Sequence, residues 1–412
     1  MNLAWISVAA LLLAITLSCV TQINVGILSI SLAWLIGVYL GGMPVKQIAA
    51  GFPVDLFLTL AGVTLLFSQA KVNGTLDRIA QHAVRSCRGN PGWLPVMFFL
   101  LAGALASLGP GNIATAALLA PAAMAAANRT RIPVFLMAIM VGNGANAGSL
   151  SPFAPTGIIV NGLMERIGLR GYELTNWWNN FAAHAAVAFT GYLVFGGWKL
   201  FRRPALDEQS EIAIAPFERT QWVTLAVILA LIGSVLFLKV NIGMAAFAGA
   251  AVLALARAAD DSEAIRNMPW NTLIMVSGVT ILISLLEKTQ GTELFASLIA
   301  RISTKETVAP VVALVTGVIS VYSSTSGVVL PAFLPTIPAL ITNLGGGNAL
   351  SIASAMNVGG HLVDVSPLST IGALCIAGVS GVAESQALFY KLLAWGLSMC
   401  IVGSVFSFLF FR

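Results

Sequence analysis

Charge is what this chain has least of. Only 9% of its 412 residues are Asp, Glu, Lys or Arg, against about 25% in a soluble domain, and that deficit excludes a water-facing surface over most of the molecule. Histidine occurs three times and cysteine four times. Cys19, Cys87, Cys375 and Cys400 form no CxxC pair and no zinc spacing, so they read as packing residues. HExxH, GxSxG and a pair of intramembrane aspartates are all missing, which removes the intramembrane enzymes built on them. Basic patches interleaved with aromatics are missing too. The net charge of +5 therefore points to basic cytoplasmic loops, not to nucleic acid. The alternating ten-residue segments of a membrane barrel are not found. The first apolar stretch lacks a basic n-region and reads as a retained helix, not a cleaved signal peptide.

What the chain does have is apolar sequence, 58% of its residues, in runs that recur along its whole length. It reads as an all-α polytopic membrane protein. Spans of about 20 apolar residues fall at 3–20, 23–43, 53–70, an interrupted 133–165, and 178–201. After a polar linker over 202–219, a second set follows at 220–238, 241–257, 270–289, an interrupted 349–380, and 387–411. Amphipathic stretches (74–88 and 291–304) and broken apolar segments (92–128 and 308–342) lie between the third and fourth members of each set. The sets repeat. "TQINVGILSI" resembles "LKVNIGMAAF", Pro95 matches Pro310, Ser151-Pro152 matches Ser366-Pro367, and Gly157 matches Gly372, the last four at one offset of 215. The chain thus divides into repeats 1–201 and 220–412. Reading 92–128 and 308–342 as re-entrant hairpins gives five crossings per repeat and makes the second repeat inverted. Thirteen of the 21 basic residues then face one side, which should be the cytoplasm, with both termini outside.

Gly, Pro and Asn break helices, and four breaks interrupt the apolar segments at symmetric positions: Leu108–Asn112, Asn143–Pro155, Ser323–Gly327 and Asn357–Thr370. A backbone group without a partner costs several kcal/mol in hydrocarbon. Four paired breaks therefore point to a shared polar site near the midplane. In "LGPGNIAT", Pro110 and Gly111 are expected to force a hairpin turn and Asn112 to cap the following helix, whose N-terminus favours an anion. "YSSTSGVV" offers Ser323, Ser324, Thr325 and Ser326 for the same task. Hydroxyls and freed carbonyls also suit a small hard cation such as sodium. Small residues at such positions also serve helix packing. Candidate substrate ligands are Asn112, Thr115, Asn146, Ser149, Ser151, Ser324, Thr325, Ser326, His361 and Ser366. Candidate cation ligands are Ser107, Gly111, Asn112, Asn143, Ser323, Ser326, Asn357 and Asp364. His361 and Asp364 lie three apart, on one face of a helical turn. They suit cation binding, proton relay or, for His361, a substrate carboxylate; the competing reading is a pair that satisfies itself. His184, alone in its span, reads as packing or interfacial.

On these residues the whole chain resembles the ion transporter superfamily, with its nearest likeness to MatC-type malonate/dicarboxylate carriers, relatives of the divalent anion:sodium symporters. That family places Ser-Asn-Thr at each hairpin tip. Here the first tip reads Gly111-Asn112-Ile113, followed by Ala114-Thr115, and the second reads Ser324-Thr325-Ser326. The first keeps only the Asn and the second has none. The resemblance implies an elevator carrier, a homodimer, with 1–88 and 220–304 as scaffold and arms and the remainder mobile. It implies a small anionic substrate such as malonate, malate or succinate, a sodium or proton gradient as driving force, the bacterial inner membrane as location, and no cofactor beyond sodium ions. Rival readings are a cation/proton antiporter or oxyanion extruder of the same superfamily, the membrane subunit of a binding-protein-dependent transporter, and a channel.

Overall fold

The computed structural model describes residues 2–21, 23–86, 90–203, 215–379 and 381–411. Most of the expected linker, and with it Cys87, Arg88 and Arg412, lies outside the described residues. Among those described there are helices and no strands. In the first half they are α1 (Leu3–Thr21), α2 (Val25–Trp34, continued as a π turn to Leu40), α3 (Val54–Val72), α4 (Thr75–Ser86), α5 (Trp93–Leu108), α6 (Gly111–Thr130), α7 (Val134–Gly148), α8 (Pro155–Arg166) and α9 (Glu173–Val194). The second half holds α10 (Arg219–Leu238), α11 (Ile242–Leu255), α12 (Trp270–Lys288), α13 (Gly291–Ala300), α14 (Val308–Ser320), α15 (Ile337–Leu344), α16 (Ala349–Leu362), α17 (Thr370–Ala377) and α18 (Val382–Phe410). Among the described residues, seven helical segments are long and apolar enough to cross a membrane, and six more apolar helices are shorter.

The sequence repeat becomes a repeat of elements. Adding 215 to the first residues of α3, α5, α7 and α8 gives 269, 308, 349 and 370; α12, α14, α16 and α17 start at 270, 308, 349 and 370. The asparagines of the two matching stretches do the same local work. Asn24 accepts from the Gly26 N–H at the start of α2, and Asn241 from the Met244 N–H at the start of α11, each satisfying an orphan donor. The halves differ after the hairpin tips. α6 is one continuous helix with Pro121 inside it. Its counterpart is a π turn (Thr325–Val329), a short α stretch (Leu330–Phe333), a 3-10 turn (Leu334–Thr336) and then α15. Pro331, Pro335 and Pro338 remove N–H donors from that stretch and crowd the preceding carbonyls, which explains the irregular winding.

The halves interlock. α2 packs on α12 and α3 on α11, so each half's second helix lies on the other half's third. Glycines let these backbones touch. A Cβ on Gly278 would meet the Gly26 backbone, and a Cβ on Gly62 would meet Gly243 O. With little hydrophobic drive between helices in lipid, such close approach supplies the packing energy. Gly278→Leu is expected to cost about 1–3 kcal/mol or more, read as a lower Tm and loss of monodispersity in detergent. Gly233, on α10 with open space around it, tolerates the same change as a control.

The second packing unit is built from α5 on α7 and α7 on α9, matched by α14 on α16 and α16 on α18. Every residue of α7 from Phe135 to Gly148 is buried, as is every residue of α16 from Ile352 to Leu362. Neither stretch faces lipid. Both run straight into a helix break, and burial in protein is the condition under which broken backbone is tolerated at membrane depth.

Candidate functional site

The breaks are narrower than the sequence suggests. Asn143 lies inside α7, and the chain is non-helical only between Gly148 and Pro155; Asn357 lies inside α16, which passes through a 3-10 turn (Val363–Val365) before α17 begins at Thr370. Glycine and asparagine on a fully buried helix are held by packing despite their low propensity. At the first tip the turn is made by Gly109 (φ 143°) and Gly111 (φ 76°), conformations closed to most side chains, and Pro110 sits between them. Asn112 is not the cap. α6 starts at Gly111 after Pro110, with no side-chain cap. The Asn112 Nδ2 instead donates to Asn146 Oδ1 at 2.9 Å. The first N–H groups of α6 are thereby left without a side-chain partner.

The second tip is capped: Ser324 Oγ accepts from the Gly327 N–H at 3.2 Å. Thr325 Oγ1 donates to Asp364 Oδ1 at 2.8 Å, with Gly360 O at 3.3 Å, tying this tip to the end of α16. Ser369 caps α17 by accepting from the Gly372 N–H, and its hydroxyl donates to the backbone carbonyls of Asp364 and Ser366.

Both tips open into one cavity of about 200 Å³. It is lined by Asn112 and Ile113 of the first tip, by Ser320 and Tyr322–Ser326 of the second, and by Asp364 and Leu368–Ile371 of the second break. Three helix starts face it: α6, the Thr325–Leu344 segment and α17. Asp364 is half-buried and is the one carboxylate among the lining residues, which include no Lys, Arg or Glu. The arrangement offers positive helix ends to an anion and a carboxylate with hydroxyls to a cation.

Of the expected ligands, the cavity gathers Asn112, Ser323, Ser324, Thr325, Ser326 and Asp364. The others stand outside its lining. Ser151 Oγ donates to Ser107 O at 2.6 Å, Ser107 Oγ accepts from Trp177 Nε1, and Ser149 Oγ donates to Asn146 O. Gly111 abuts Pro155. Thr115 and Ser366 are buried. Asn143 Oδ1 faces His184 Nδ1 at 2.9 Å, Asn357 Nδ2 donates to Asn176 Oδ1 at 2.7 Å, and His361 Nδ1 donates to Asn357 O at 2.8 Å. His361 and Asp364, three apart in sequence, have different partners, the Asn357 carbonyl and the Thr325 hydroxyl, and do not pair.

Sequence reasoning missed Ser320 and Tyr322, whose only signal was adjacency to the second tip. It also missed a buried polar seam. Asn176, Asn180 and His184 recur every fourth residue on one face of α9. They bond to α16 through Asn357, to α7 through the Asn146 carbonyl (2.8 Å), and to α7 again through Asn143. Asn146 joins this seam to the cavity, because its Oδ1 accepts from Asn112.

Residues 1–149 match the family model described as the N-terminus of the dicarboxylate carrier protein MatC. Uncharacterized transporters of Mycobacterium bovis and Mycobacterium tuberculosis are 24% identical over 355 residues, covering 80% of this chain and 80% of theirs. A second Mycobacterium tuberculosis transporter is 24% identical over 391 residues, 87% of this chain and 86% of its own. Among solved structures, the Alcanivorax borkumensis YdaH transporter aligns with a TM-score of 0.59 at 16% identity, over 90% of this chain and 88% of that one. The fold is thus that of a polytopic membrane transporter. The relatives are carriers and transporters, not enzymes.

Proposed function

We propose that the chain is a secondary active transporter of a small dianion, most simply a C3 or C4 dicarboxylate such as malonate, malate or succinate. The observation that carries this reading is the meeting of both hairpin tips in one cavity, with three helix starts and a single carboxylate around it. With no arginine or lysine in the lining, the substrate's negative charge is met by N–H groups, hydroxyls and the Asn112 amide. A cation, sodium or a proton, is bound at Asp364 with the hydroxyls of Ser323 and Ser326 beside it, so that anion and cation neutralise each other. The match to the MatC family model favours a dicarboxylate over other dianions.

The two repeats are inverted, the hairpins are re-entrant from opposite sides, and the interlocked helices α1–α4 and α10–α13 are the scaffold against which the rest moves, elevator-fashion, in a homodimer. The protein sits in a bacterial inner membrane with both termini outside. Asp364 as the sole cavity carboxylate favours one second reading, a cation/proton antiporter of the same superfamily. Proton flux driven by sodium in the absence of dicarboxylate separates the two.

Purified protein is expected to show a higher Tm with succinate or malonate, and a larger rise when sodium is present, because a ligand of the folded state stabilises it by mass action. Asn112→Ala is expected to lower uptake of labelled dicarboxylate by about 10-fold to 100-fold, the loss of about 1.4–2.7 kcal/mol of polar contact, with unchanged expression. Uptake at the wild-type rate would remove Asn112 from the site.

A further inference from the structure

We propose that the cavity selects its substrate by carbon skeleton: Ile113, Leu368 and Ile371 form an apolar wall that accepts an alkyl group on the carbon between the carboxylates of a malonate-like dianion and disfavours a hydroxyl there. The inference rests on the dicarboxylate reading. It narrows the substrate class to plain and alkyl-substituted dicarboxylates and ranks hydroxylated ones, malate among them, behind.

Ile113 and Leu368 are each 49% exposed, and both line the cavity. Exposed leucines and isoleucines elsewhere on this chain suit helices that face lipid. These two stand in a cavity that also holds Asp364 and the hydroxyls of Ser323, Ser324, Thr325 and Ser326. Apolar surface held among polar groups and water is costly, and a polar-rimmed apolar patch marks a place where something binds. The repeat sets Ile113 apart in the same way. Its counterpart 215 residues on is Val328, which is buried as a packing residue.

The fold gathers the three side chains. α6 packs on α17. Ile113 and Ile371 lie in the first turns of these two helices, and Leu368 stands two residues before α17 begins. The second tip and Asp364 supply lining that is polar apart from the Tyr322 ring. Polar side chains beside the apolar residues are engaged. Asn112 Nδ2 donates to Asn146 Oδ1, and the Ser369 hydroxyl donates to the carbonyls of Asp364 and Ser366. Thr370, exposed at the start of α17, is left for a carboxylate oxygen. A dianion whose two carboxylates take the helix starts and the hydroxyls turns the carbon between them toward Ile113 and Leu368. A methyl on that carbon gains apolar contact. A hydroxyl of nearly the same size gives up water for the same surface. A difference of this kind in an apolar pocket is worth about 10-fold to 100-fold in affinity.

Methylmalonate and hydroxymalonate test this directly, because both are dianions at pH 8 and they differ by a methyl against a hydroxyl. The purified full chain, in sodium buffer, is titrated with each and followed by Tm. Each is also tested as a competitor of labelled malonate uptake in vesicles. Methylmalonate should act at a concentration about 10-fold or more below that of hydroxymalonate. Ile113→Thr, which keeps the branched shape and introduces a hydroxyl, should bring the two concentrations together. Leu368→Ser gives the same test if that variant fails to fold. Malonate binding with the two probes equal, hydroxymalonate ahead, or a ratio unmoved in both variants would each overturn the inference and leave the dicarboxylate reading standing. Failure of malonate, succinate and both probes to bind would defeat that reading, and the inference with it.

Discussion

Asp364→Asn is expected to lower uptake of labelled succinate by reconstituted protein about 100-fold or more, a loss of about 2.7 kcal/mol or more at the rate-limiting barrier, with little change in Tm. The substitution is almost isosteric, and the amide oxygen still accepts the Thr325 hydroxyl that now reaches Asp364 at 2.8 Å. The second tip therefore stays tied to the end of α16. What disappears is the only negative charge in the cavity lining. Ionisable groups at membrane depth are expensive to keep, and a carboxylate at the junction of two hairpin tips and a helix break has a use only if a cation passes through. Asp364→Glu separates charge from geometry, since partial recovery assigns the loss in Asn to charge. Unchanged uptake in Asp364→Asn would remove the cation from this place altogether.

The largest structural effect is expected from two glycines. A Cβ on Gly372 would fall on the Ser366 carbonyl, and a Cβ on Gly157 on the Ser151 carbonyl. These are equivalent positions, 157 plus 215 being 372, each in the first turn of the helix that follows a break. The chain must pass over itself there to re-enter a helix, and the Gly157 N–H already bonds Ser149 O at 3.0 Å. Backbone cannot yield as a side-chain tip does. Gly372→Ala and Gly157→Ala should each cost about 3 kcal/mol or more, measured as a fall in Tm and in recovered monodisperse protein. Gly162→Ala on α8, where the added Cβ meets only Leu56 Cδ1 at 3.4 Å, should be neutral or stabilising. Equal stability of all three variants would show that the breaks can be rebuilt.

Much of this was legible in the residues. The offset of 215 that pairs Pro95 with Pro310 and Gly157 with Gly372 also pairs the starts of α5 with α14 and α8 with α17. A repeat is carried by every position at once, so it survives divergence at any one of them. The tips were legible in part: Gly111 does turn the chain and Ser324 does cap, while the cap expected of Asn112 does not form. Local propensity misled inside the buried helices. Asn143 and Asn357 read as unwound, yet α7 and α16 hold them helical because both helices are enclosed on all sides. The polar seam was invisible for another reason. Asn176, Asn180 and His184 show helical spacing, but their partners Asn357, Asn146 and Asn143 come from distant stretches. The offset also carries the difference between the halves: Asn146 plus 215 is His361 and Ser149 plus 215 is Asp364, so the ionisable version of the motif exists once.

The glycine crossings bear on how the protein is made. α2 finds its glycine-lined seat only on α12, and α11 finds its own only on α3. A ribosome that has finished the first repeat has therefore built two helices whose contact faces are still empty; the face of α3 fills only after residue 255, and that of α2 only after residue 288, has entered the bilayer. The repeats descend from one pattern, but neither is a free-standing product: expressed as separate polypeptides, they should accumulate only when both are synthesised together.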